Sequence, residues 1–315
     1  MELFPSNSNI NFMRMRVVSL VVAGLLMAIA IGAMATKGFN YALDFTGGTM
    51  TEIKFEKPVN VEEMRQRLET NGFPNSEVRT FGEGNDIVIR MRLNKDNNDA
   101  KKIQEFSDKV LAAAQTSDNP GTVYPSVFVG PQIGNELAWN GLKAAIFVVL
   151  GFLIYVAARF EWKFAVAAII TTLHDVVLVA GWFAITQHEL DLAVLAGILS
   201  VMGYSISDTI VVFDRVRENF RNLQRVSPVE VMNRSVNQTL SRTIITSFVA
   251  FLTVLALYIY GGASLEGMAE SQMIGIVFGT LSSIFVACTL LLWMGVSKQD
   301  LLPKAKDLAE LERRP

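Results

Sequence analysis

Six stretches of this chain are too long and too apolar for an ordinary water-soluble domain, and they limit what it can fold into. Residues 17–36 are 20 residues without a charge, long enough to cross the hydrocarbon of a bilayer as a helix. Residues 142–158, 164–186, 192–213, 240–260 and 270–296 read the same way. The first stretch resembles a signal peptide, with Arg14 and Arg16 before it and Ala33-Met34-Ala35 at its end. It outruns the 7–15 apolar residues of a signal core, so it predicts an uncleaved first helix. The whole chain is 51% hydrophobic with mean hydropathy +0.34, which fits spans plus a sizeable soluble insert.

Lys and Arg set the orientation. Arg14 and Arg16 precede the first span, and Arg159 and Lys163 lie between the second and third. Arg215, Arg217, Arg221, Arg225 and Arg234 lie between the fourth and fifth, and Lys298, Lys304 and Lys306 follow the sixth. The loops 187–191 and 261–269 have no Lys or Arg. All basic segments share one side if the N-terminal segment 1–16, the loop 214–239 and the tail 297–315 are cytoplasmic. The soluble insert, residues 37–140, is then outside the inner membrane.

That insert reads as β-α-β-β-α-β. Met50, Ile53 and Phe55 alternate with polar residues, and Val61, Met64 and Leu68 have helical spacing up to Asn71-Gly72. Residues 77–81 and 86–93 flank a turn at 82–85, residues 98–114 are helical, and 123–129 form a last strand. The expectation is a six-span α-helical membrane protein with a small α+β ferredoxin-like domain between spans one and two.

Four ionisable groups lie in or at the ends of spans: His174, Asp175, Asp208 and Arg242. A charge at the bilayer centre costs at least ~2.5–3.5 kcal/mol, so each needs a partner or a purpose. By residue count Asp175 is near the midplane. Asp208 lies about five residues, or ~7.5 Å, inside the basic end of its helix, and Arg242 opens the next span at similar depth. Tyr204 and Ser205 lie at i−4 and i−3 from Asp208, placed to hydrogen-bond it or guide water to it; Thr246 lies at i+4 from Arg242. An Asp208–Arg242 pair has two open readings: a static clamp between helices, or a pair that separates and rejoins as protons load and leave. A third reading leaves Asp208 at the membrane edge, merely salt-bridged. His174 and Asp175, being sequence neighbours, diverge by ~100° and are not expected to touch; relay members and packing polars are both open for them. Ser271, Gly275, Gly279 and Ser283 recur every fourth residue, a small-residue stripe for close helix approach either to a partner or within the chain.

Other chemistries lack residues. Net charge is −2, which gives no electrostatic case for nucleic acid. The single cysteine, Cys288, excludes an intramolecular disulfide; no metal-ligand spacing, HExxH pair, phosphate loop or nucleophile–base pair stands out, so neither an enzyme nor a metal site is expected.

Six motifs, in this order, resemble the SecF branch of the SecD/SecF protein-export family, within the resistance-nodulation-division superfamily. They are Leu43-Asp44-Phe45-Thr46-Gly47-Gly48-Thr49, Arg159-Phe160-Glu161-Trp162, His174-Asp175-Val176, Gly203-Tyr204-Ser205-Ile206-Ser207-Asp208-Thr209, Phe213-Asp214-Arg215-Val216-Arg217-Glu218-Asn219 and Thr239-Leu240-Ser241-Arg242-Thr243, together with the six-span pattern itself. Many family members have Asn where Ser207 stands. The resemblance implies one six-span half of a twelve-span core, with SecD as the other half, associated with the SecYEG channel and YajC. It implies a motor that uses the proton-motive force to draw unfolded preprotein out on the periplasmic side, with protons as coupling ion and no other cofactor. Asp208 and Arg242 match the family's proton-pathway residues, and Asp44, Phe45, Thr46, Gly47 and Gly48 match its entry motif at the membrane–domain hinge. Rival expectations are a half-transporter for a lipid or drug, and a non-transporting assembly factor of the translocon.

Overall fold

The computed structural model describes residues 9–74, 76–81, 84–91, 100–116, 118–124, 127–129, 131–223 and 225–301. Parts of the expected N-terminal segment, the 82–85 turn, the 86–93 and 123–129 strands, the 98–114 helix, the 214–239 loop and most of the tail lie outside them.

Among the described residues six helices are long and apolar enough to cross a membrane. The first is α1 (Arg16–Lys37), closed by Gly38 at φ +68°. A two-residue strand β1 (Asn40–Tyr41) and a single turn α2 (Leu43–Thr46) lead into the soluble domain. Its elements are β2 (Gly48–Phe55), α3 (Val61–Thr70), β3 (Glu77–Phe81), β4 (Asp86–Met91), α4 (Ala100–Ala114), β5 (Gly121–Val123) and β6 (Val127–Val129). All pairings are antiparallel and run β3-β4-β2-β5, with β6 also on β2. This is the split βαβ arrangement, its last strand broken in two. Ile53, Met64, Leu68, Ile87, Ile89 and Val110 fill the space between the sheet and helices α3 and α4. Asn60 caps α3 by accepting from Glu62 N–H.

The remaining spans are α5 (Pro131–Arg159), α6 (Trp162–Thr186), α7 (Leu192–Asn222), α8 (Pro228–Tyr260) and α9 (Ala263–Ser282). The last continues through a π-turn at Ser283–Ala287 into α10 (Cys288–Trp293). A strand β7 (Glu189–Leu190) joins α6 to α7 and pairs in parallel with β1. The spans are not equivalent. Two thirds of the α9 window is buried (67%) against 6% of α5, so α6, α7 and α9 form the centre and α1, α5 and α8 the periphery.

The polar segment 214–239, expected as a loop, is largely helical. Helix α7 runs on to Asn222 because Val212, Phe213, Val216 and Phe220 keep a buried stripe beneath the apolar run. Helix α8 starts at Pro228, where Ser227 accepts from Glu230 N–H. Two family motifs meet here: Arg159 pairs with Asp214 at 3.1 Å and Arg217 with Glu161 at 3.0 Å, around a cluster of Phe160, Phe164 and Phe213.

Candidate proton site and domain hinge

The polar interior of the bundle is built on two carboxylates. Asp208 on α7 is 8% exposed. Its Oδ1 accepts from Thr243 Oγ1 of α8 at 2.9 Å, and its Oδ2 accepts from Ser283 Oγ at the π-turn. Asp175 on α6 is wholly buried. Its Oδ2 accepts from Ser205 Oγ of α7 at 2.6 Å and from Ser282 Oγ of α9 at 2.7 Å, while Oδ1 lies 3.0 Å from His174 Nδ1. Two hydroxyl donors from two neighbouring helices thus take the place of water around each carboxylate, which hydrocarbon cannot supply.

Four expectations change here. His174 and Asp175 do touch: the Cβ directions diverge, but the imidazole and carboxylate are long enough to meet across the helix surface. Ser205 serves Asp175 and not Asp208. Tyr204 bonds Ser247 Oγ at 2.6 Å. Arg242 forms no ion pair among the described residues: its neighbour Thr243 takes the inward position at Asp208, leaving Arg242 exposed on the outer face of α8 together with Thr246, whose hydroxyl returns to Arg242 C=O at 2.9 Å. Sequence reasoning missed Thr243 and Ser282, and read Ser283 only as a packing residue. Hydroxyls at helical spacing from a buried acid were the available signal.

The small-residue stripe packs within the chain. A Cβ on Gly275 would lie 2.1 Å from Val201 Cγ2, and one on Gly197 would lie 2.0 Å from Ser271 Oγ. Gly279 opposes Ser205 and Asp175, and Ser283 reaches Asp208. Close approach of α7 and α9 is what allows serines on one helix to serve carboxylates on others.

The entry motif sits where the domain meets the bundle. Asp44 Oδ2 accepts from Leu192 N–H at 3.1 Å and Asp191 Oδ1 from Val194 N–H at 2.6 Å, so two acids cap the start of α7. Burial pushes the Asp191 carboxyl above its ordinary range, and nearby Asp44 adds to this against the Val194 N–H bond and Arg90. Phe45 packs against the buried cluster that includes Val179, Phe183, Leu190 and Val194. Thr46 Oγ1 bonds Ala42 C=O at 3.1 Å, and Gly47 turns the chain into Gly48 and β2 at φ +71°, a conformation that suits glycine. Arg90 of β4 forms an ion pair with Glu189 of β7.

Among the described residues no His, Cys, Asp and Glu group is placed to hold a metal. Fold and site together define a six-span membrane protein with an extramembrane α+β domain and buried acids held by hydroxyls. The chain matches the families "Protein export membrane protein SecD/SecF, C-terminal" over residues 109–297 and "SecD/SecF GG Motif" over residues 32–59. It is 38% identical over 317 residues to protein translocase subunit SecF of Vibrio alginolyticus, covering 100% of this chain and 99% of that one. Protein translocase subunit SecDF of Thermus thermophilus is 41% identical over 286 residues, covering 89% of this chain and 38% of the relative. The crystal structure of Thermus thermophilus SecDF, described as a translocon-associated membrane protein, superposes with a TM-score of 0.82 at 37% identity. The match covers 93% of this chain, which spans 40% of that one. The chain belongs to the SecD/SecF family of protein-export membrane proteins, on its SecF branch.

Proposed function

We propose that this chain is the SecF half of a SecD–SecF complex that uses the proton-motive force to assist SecYEG-dependent preprotein translocation. It makes no catalytic step of its own. Protons are its coupling ion, and it needs no other cofactor. The Asp208 site carries this reading: a buried carboxylate held only by hydroxyls can change its proton without breaking an ion pair. The exposed Arg242 beside it is a cation awaiting a facing surface. The fused SecDF relative supports SecD as that surface, with SecYEG, YajC and unfolded preprotein as further partners. The basic loops favour cytoplasmic termini and an inner membrane, with the α+β domain in the periplasm. One proton crossing 100 mV yields ~2.3 kcal/mol, so a few per cycle suffice to move a domain.

The test is gradient-dependent export in inverted vesicles containing the partner, comparing the native chain with Asp208→Asn and Arg242→Met. Both variants are expected to assemble and to lose the gradient-dependent part of export. Export that stays gradient-dependent in Asp208→Asn refutes the reading.

A further inference from the structure

We propose that His174 and Asp175 form a second proton-binding site, coupled to Asp208 through the adjacent serines Ser282 and Ser283. The inference rests on the proton reading of Asp208 and extends it to a pair of sites.

The geometry of α9 is the starting point. Ser282 and Ser283 are neighbours, yet one donates to Asp175 on α6 and the other to Asp208 on α7. The π-turn begins at Ser283, and such turns widen the helix and reset side-chain directions. Each serine also has a carbonyl alternative, Ser282 at Gly279 C=O and Ser283 at Thr280 C=O. Each can therefore turn away when its carboxylate takes up a proton. One short segment senses both acids.

The Asp175 site has its own proton inventory. Three donors surround the carboxylate, and no Lys or Arg is paired with it. The imidazole is the group that can neutralise it. With Nδ1–H donated to Asp175, His174 Nε2 presents a lone pair, and this buried nitrogen has no hydrogen-bond partner among the described residues. His174 lines a cavity of about 230 Å³ between α1 and the α9 π-turn, otherwise bounded by residues such as Val22, Leu26, Leu281 and Phe285. The pair holds either one net negative charge or, with a proton added, none. In hydrocarbon the difference is large. Thr172 on α6 and Thr209 on α7 are further buried hydroxyls with no hydrogen-bond partner among the described residues.

Few other charges act on the pair. Between Arg16 and Lys37, α1 has no ionisable residue, and α5 has only Tyr155 between Lys143 and Arg159. Helix α7 brings Tyr204 and Asp208, α8 brings Arg242, and Cys288 begins α10. On α9, Glu266 lies in the first turn, and Glu270 is engaged with His188 and Trp182 at the opposite end. Asp208 is the acid whose serine partner, Ser283, adjoins the Ser282 that serves Asp175.

The measurement is an infrared pH titration of protonated-carboxyl bands in the full-length chain with its partner, in lipid nanodiscs. Asp175→Asn and Asp208→Asn assign the bands. The expected result is two titrating carboxyls. Asp175→Asn lowers the Asp208 midpoint by about one pH unit, since it removes a neighbouring negative charge. His174→Gln keeps a donor but loses the proton, and displaces the Asp175 band. Ser282→Ala leaves both acids in place and shifts both midpoints by less; it serves as the readout if Asp175→Asn does not fold. An Asp208 midpoint that stays fixed in folded Asp175→Asn or Ser282→Ala overturns the coupling while leaving Asp208 as a proton site. If Asp208 does not titrate at all, both readings fall.

Discussion

Inside the α+β domain, Ile53, Met64, Leu68, Ile87, Ile89 and Val110 pack with no exposure, and the polar atoms stay mostly at the rim. Where α7 meets α9, the interior is instead Gly197, Ser205, Asp208, Ser271, Gly275, Ser282 and Ser283. The solvents explain the inversion. In water, large side chains gain most by leaving the solvent, ~25 cal/mol per Å² of apolar surface. In lipid that gain vanishes, and helices associate through close backbone contact and internal hydrogen bonds. Much apolar bulk accordingly faces outward in the bundle, where Phe147, Ile154, Phe248 and Ile259 are exposed, although Phe164, Phe183 and Phe213 stay buried away from this contact.

The largest effect is expected where small size is the requirement. Gly275→Leu would drive a side chain into Val201, a rigid β-branched neighbour 2.1 Å from the new Cβ. Helices α7 and α9 cannot then close. Limited proteolysis in membranes should show loss of the resistant core, and a native digestion pattern would refute the argument. In the domain, size matters in the opposite sense. Leu68→Ala should destabilise it by about 2–5 kcal/mol through lost burial and a cavity. Hydrogen exchange should show faster opening of β2–β4 with the bundle unchanged; equal loss in both regions would mean that the two cores are one cooperative unit.

The smallest effect lies at the junction. Folded Asp191 holds its proton more tightly than the free side chain does, chiefly through burial. Its contribution to stability is full below pH ~3.8 and is lost as pH rises through the folded value. Asn caps a helix as well as Asp does. Asp191→Asn should therefore match or exceed the stability of the native chain at neutral pH. That margin should shrink toward low pH in thermal melts. A margin that grows on acidification would contradict the burial argument.

Apolar run length placed all six spans, and alternation placed the strand order, because both follow from backbone period and solvent. The extensions of α7 and α8 were written in the sequence as Val212/Phe213/Val216/Phe220 and as Ser227-Pro228-Val229-Glu230. Their overall polarity disguised them as a loop. The candidate site was legible in its acids but not in its contacts. Nothing local tells that Ser205 faces Asp175, or that Thr243 displaces Arg242 from Asp208; helix rotation is set by the glycine contacts of α7 and α9. Side-chain reach defeated the angular argument separating His174 from Asp175.

The β1–β7 clasp also has a consequence in time. Asp44 waits for the Leu192 amide, 148 residues downstream. At ~5–20 residues per second, the ribosome reaches it about 7–30 s later. Microseconds to milliseconds are ample for a small mixed domain to fold, so this one can be complete long before its mooring exists. During that interval it is tied to the bundle through its two flanking spans, α1 and α5, without the Asp44 cap on α7. Its final orientation is acquired as a late docking event, when the α6–α7 hairpin arrives.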